Sequence, residues 1–159
     1  MAQFAHLVEM LQQELSCTEY LLGTLHDERE LLESRDLAGM QALLVHKSDA
    51  LNLLEKLRHN RSQWLQNQGM GQTDSRLLQE LEAQQDATAS AAVELLIHCR
   101  ENIDKCNYFN ELNGILISNS RKRNSRQLDL MRGISQEQKL YTAKGGTERR
   151  TSQTQVGRA

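Results

Sequence analysis

Apolar side chains recur along most of this chain in alternating steps of three and four, the spacing that lines one face of an α-helix. In the first 32 residues Phe4, Val8, Leu11, Leu15, Thr18, Leu22, Leu25, Arg29 and Leu32 form such a seam, and Leu7 and Leu21 widen it enough to meet two neighbouring helices. Glu9, Glu14, Glu19 and Glu30 lie off the seam and are expected in solvent. Ser34 or Asp36 can cap a second helix, whose stripe reads Leu37, Met40, Leu44, Lys47, Leu51, Leu54, Arg58, Arg61 and Leu65, with Leu43, Ala50, Leu57 and Trp64 alongside. The permissive pair Gly69 and Gly71 ends it. Thr73 or Asp74 caps a third helix that meets no proline or glycine before Gly114.

The pattern therefore predicts an all-α chain with helices over about 2–33, 36–67 and 74–131, packed as an elongated antiparallel three-helix bundle or coiled coil. The third helix is overlong. Nearly twice the length of its partners, it must leave much of its apolar face uncovered inside a monomer. Residues 1–131 then make one helical domain, and 132–159 a flexible, basic C-terminal tail, disordered when free.

Composition sharpens this reading. The 159 residues include no proline and 4% aromatics, so sheet-rich folds with their turn punctuation are excluded and burial comes from narrow leucine stripes. No apolar run approaches the roughly 18 residues needed to cross a bilayer, and no cationic leader precedes Arg29, so direct membrane insertion is not expected and the protein reads as cytoplasmic. The formal charge of −2 hides an asymmetry: residues 1–120 carry 9 basic and 18 acidic groups, residues 121–159 carry 10 basic and 3 acidic.

Candidate chemistry is sparse. His6, His26, His46, His59 and His98 include the pairs His26 with Glu30 and Glu94 with His98, but one carboxylate and one imidazole close no metal site, and the Glu-x-x-His pairs of di-iron bundles are missing. Cys17, Cys99 and Cys106 match neither a disulfide framework nor a zinc pattern, and read as reduced thiols filling helix faces. With no nucleophile elbow, phosphate loop or dinucleotide motif, no enzyme and no cofactor are expected. Arg121, Lys122, Arg123 and Arg126 could face phosphates. Without interleaved aromatics, and beside an acidic remainder, they do not point to nucleic acid.

Asn110 and Asn113 sit on the packed side of the third helix beside Phe109 and Leu116. Polar residues at seam positions fix register at a cost in stability; alternatively these two hydrogen-bond the backbone of an incoming chain. What the pattern permits is protein binding by an exposed amphipathic helix end, either as a coiled-coil scaffold that self-associates or bridges partners, or as a carrier of other proteins.

The run Asn110-Glu111-Leu112-Asn113-Gly114-Ile115-Leu116-Ile117, followed by Arg123-Asn124 and Leu128-Asp129-Leu130-Met131, resembles the FlgN family of flagellar type III export chaperones. Leu140-Tyr141-Thr142-Ala143-Lys144-Gly145-Gly146 is similar to the family's tail. The resemblance implies a cytoplasmic chaperone that binds the disordered, amphipathic terminal segments of flagellar hook-associated proteins, prevents their premature assembly and delivers them to the soluble domain of the membrane export gate. It implies substrate binding by Asn110, Leu112, Asn113, Ile115, Leu116, Leu128 and Met131, and gate docking by Tyr141.

Overall fold

A computed structural model describes residues 2–84 and 86–132, without the side chains of residues 2 and 3. Four α-helices account for nearly all of it: α1 Ala2–Ser34, α2 Leu37–Asn67, α3 Asp74–Glu82 and α4 Ala87–Met131. No strand occurs among the described residues. The chain divides into two compact units, Met1–Ile117 and Ser118–Ala159.

The turn between α1 and α2 takes three backbone features to make. Arg35 adopts a left-handed φ of 60°, the N–H of Asp36 returns to the carbonyl of Leu31 at 3.1 Å, and the Asp36 side chain caps α2 by accepting from Gly39 N–H at 2.9 Å. The first two close the helix C-terminus and the third opens the next helix. At the other end of α2, Gly69 with φ 71° lets Met70 N–H reach back to Leu65 O, again satisfying a carbonyl that the helix leaves open.

The expected continuous third helix is two helices. Thr73 Oγ1 caps α3 by accepting from Arg76 N–H, and α3 ends at Glu82. Asp86 then starts α4 by accepting from Thr88 N–H at 2.9 Å. A side-chain acceptor at this point competes with helix continuation, so the chain turns without glycine or proline. The break lets Leu77 and Leu81 of α3 join Leu7, Leu11, Leu65, Ala89, Ala92 and Leu96 in one fully buried cluster.

Within the first unit α2 runs antiparallel to α1, which places Arg61 against Glu14 and Lys47 against Glu28. α4 runs parallel to α1. The Cys99 thiol donates to Leu11 O, the Cys106 thiol to Thr18 O, and the Asn113 amide to Leu25 O, each pair 88 positions apart. Both helices thus advance by heptads in one register, with small residues on α4 allowing close approach. A second cluster of Cys17, Leu21, Leu25, Ala50, Leu54 and Cys106 fills the middle.

Two expectations about faces need correction. Glu14, placed in solvent by its position off the seam, is 1% exposed. Arg61 draws it inward with bonds of 2.6 and 3.2 Å, a partner that no local pattern announces. On α2 the buried residues are Leu54, Arg61 and Leu65 of the expected stripe together with Ala50 of the seam alongside. Leu37, Leu44 and Leu51 of the expected stripe are 78%, 50% and 47% exposed.

Candidate protein-binding surface

The α4 residues of the first unit that carry the predicted site surround a buried polar cluster. Asn113, 1% exposed, donates its amide to Leu25 O at 2.9 Å and to Glu28 Oε2 at 2.8 Å. Glu28 accepts both oxygens' worth of bonding from Lys47 Nζ, at 3.0 and 2.9 Å, and Lys47 also donates to Asn110 Oδ1 at 2.9 Å. The cluster ties all three long helices together. Asn113 Oδ1 is buried with no partner. Such groups act as register devices, because a slipped alignment would strand a carboxylate and an ammonium without each other.

The amide of Asn113 is therefore engaged inside the bundle, while Asn110 remains at the surface. Of the apolar residues next in line, Leu112 and Leu116 are half-buried and Ile115 is 56% exposed. Phe109 packs against the ring of His26 at 4.1 Å.

Residues 118–132 of the second unit continue in helical form to Met131. Here the apolar groups are open: Leu128, Leu130 and Met131 are 50%, 72% and 85% exposed. Arg121, Lys122, Arg123 and Arg126 are exposed too, and Arg123 donates to Ser120 Oγ at 3.3 Å. Tyr141 and the predicted tail from residue 133 onward lie outside the described residues.

The remaining chemistry of the first unit is structural. Arg61 bridges Glu14 and Asp74, the latter at 3.1 Å. Burial works against its charge, but the two carboxylates outweigh that and hold its pKa above the ordinary value. Burial, with the Glu14 charge nearby, pushes the Cys99 thiol up to about 12. Cys17 is raised by burial and by Glu14, Cys106 by burial and by Cys17. Thiols held protonated are poor nucleophiles and poor metal ligands. Among the described residues no three His, Cys, Asp or Glu side chains are placed to hold a metal ion, and no helix is long and apolar enough to cross a membrane.

Neither Glu14–Arg61 nor Glu28–Lys47 was visible in the sequence, although Lys47, Arg58 and Arg61 falling on a stripe otherwise apolar was the available signal.

A family model described as FlgN protein matches residues 1–149. No curated protein and no solved structure matches the chain.

Proposed function

Since the chain belongs to the FlgN family, a family of flagellar export chaperones rather than of enzymes, we propose that it binds the amphipathic terminal segments of hook-associated proteins in the cytoplasm and delivers them to the export gate. The observation that supports this reading is the open apolar end of α4, where Leu128, Leu130 and Met131 present 50%, 72% and 85% of their surface to solvent. Hook-associated segments that are disordered before assembly carry heptad leucines of their own. Such a segment gains a helical partner by folding against this surface.

Burying the surface that these three side chains still expose contributes at most roughly 1.5–3 kcal/mol each, and ordering two flexible chains offsets much of it. The balance gives a complex that holds its cargo and still releases it. Leu112, Ile115 and Leu116 in the first unit add further apolar contact. Asn113 acts through the polar cluster that holds the bundle's register, and Asn110 at the edge of that cluster has an exposed side available to an incoming backbone. Tyr141 serves the gate.

The reading is tested by titrating full-length protein with synthetic terminal segments of hook-associated proteins. Leu128→Asp and Met131→Asp are expected to weaken binding by at least about tenfold while the helical circular dichroism signal is retained, since charge at a buried contact costs more than 1.4 kcal/mol. Undiminished binding by both variants would remove this surface from the proposal.

A further inference from the structure

Between α1 and α2, on the side walled by those two helices, lies a groove of about 760 Å³. Ala50 and Leu57 form its apolar floor, and Tyr20 and Leu53, 55% and 50% exposed, stand at its edge. Glu9 and Asp49 are its charged carboxylates, and no lysine or arginine lines it. On α1 the lining runs from Glu9 to Tyr20, about three turns or roughly 18 Å. The groove thus selects a short helix with apolar residues on one face and positive charge beside them.

The chain carries such a helix. Residues 118–132 hold five basic residues and one acidic, with Arg121, Lys122, Arg123 and Arg126 all exposed. Leu128 and Met131, three apart, share a face, and Arg121, seven residues before Leu128, and Arg132, four after it, flank that face. We propose that the α1–α2 groove takes the basic C-terminal end of α4 from a second copy of the chain, Leu128 and Met131 packing on Tyr20 and Leu53 with the basic side chains against Glu9 and Asp49. Two copies exchange these ends reciprocally. A one-way contact of this kind would propagate into a filament, whereas the reciprocal exchange closes as a two-fold dimer and doubles the buried area.

The dimer covers Leu128 and Met131. If the proposed substrate surface is correct, dimerisation and cargo binding exclude each other, and the dimer is the form in which an unloaded chaperone shields its apolar end. The dimer itself does not depend on that reading, and its test contains no substrate.

Sedimentation equilibrium of the full chain from about 1 to about 200 µM is expected to show a monomer–dimer equilibrium that weakens as salt rises from about 50 to about 500 mM. Glu9→Lys with Asp49→Lys, or Arg121→Glu with Arg132→Glu, should each raise the dissociation constant at least about tenfold, and all four together should restore it. A single-chain mass at every concentration overturns the proposal, as does a dimer indifferent to salt or to both charge reversals, or a failure of the combined variant to recover. Binding of a basic amphipathic peptide in the groove of a chain that stays monomeric would assign the groove to a foreign partner and overturn it equally. Should a variant fail to fold, the salt response of the unmodified chain still decides.

Discussion

Asn113 on α4 gives its side-chain amide to the backbone carbonyl of Leu25 on α1 at 2.9 Å, across 88 positions of sequence. Cys99 with Leu11 and Cys106 with Thr18 repeat the same offset two heptads and one heptad earlier. The thiol contacts, at 3.6 and 3.8 Å, are weak. The asparagine bond and its companion to Glu28 are the strong ones, so the parallel register of the two helices is fixed chiefly at this end.

Asn113→Ala is expected to destabilise the bundle by about 1–3 kcal/mol, because Leu25 O and Glu28 lose a buried donor. Urea unfolding followed by circular dichroism measures this. A change under about 0.5 kcal/mol would mean that water replaces the amide and that the cluster does not hold the register.

Arg61→Met alone leaves Glu14 buried without a counter-charge, and should cost about 3–5 kcal/mol. Adding Glu14→Leu removes the stranded carboxylate and should recover most of the loss, since a buried ion pair and a well-packed apolar pair are often close in stability. Thermal melts of the three proteins test the pair, and additive losses would show that Glu14 and Arg61 act independently.

Arg35 holds φ at 60° with a Cβ in place. Glycine relieves that strain, and Arg35→Gly should raise stability by about 0.5–1 kcal/mol despite its larger unfolded-state entropy. A lowered melting temperature would show that the Arg35 side chain contributes an interaction worth more than the strain.

Cys99 gives the chain an alkaline limit. Its folded pKa of about 12 exceeds the ordinary 9.0, so the native state keeps a proton that the unfolded state releases. This contribution to stability is whole below pH 9 and is lost progressively as pH rises from 9 toward 12. Cys99→Ala should flatten the fall in stability above pH 9. At neutral pH, reaction of Cys99 with a thiol reagent should follow the rate or extent of opening, not the intrinsic reactivity of a free thiol.

Much of this architecture is legible in the sequence, because heptad spacing and caps are local signals. The ends of α1 and α2, the Gly69 stop and the Thr73 start all fall within a residue or two of their expected places. The break between the end of α3 at Glu82 and the start of α4 at Ala87 is not legible by glycine or proline, and depends on one aspartate, Asp86, out-competing the helix. Glu14 and Glu28 are harder still. Whether a glutamate beside a seam is solvated or buried depends on a cation 47 or 19 positions away, and helix periodicity carries no information about that partner. The exposed end at Leu128 and Met131 was expected from helix length; the groove beside Tyr20 and Leu53 was not, since it exists only where two helices meet.

The proposed delivery step can be separated from cargo capture at Tyr141. Leu140 and Tyr141 are an apolar pair in a polar, basic stretch, and an aromatic side chain offers large contact area at small entropic cost when a short segment docks. The proposed cargo surface centres on Leu128 and Met131, ten or more residues earlier in the chain. Tyr141→Ala should therefore leave the affinity for hook-associated segments within about twofold of the unsubstituted protein, while association with the soluble domain of the export gate falls by at least about tenfold, the usual effect of losing an interface anchor. Both constants come from titrations of the full chain, and filament assembly in cells reports the consequence. Equal loss of cargo and gate binding would merge the two sites into one. Unchanged gate binding would remove Tyr141 from the mechanism and leave delivery to be carried by another part of the chain.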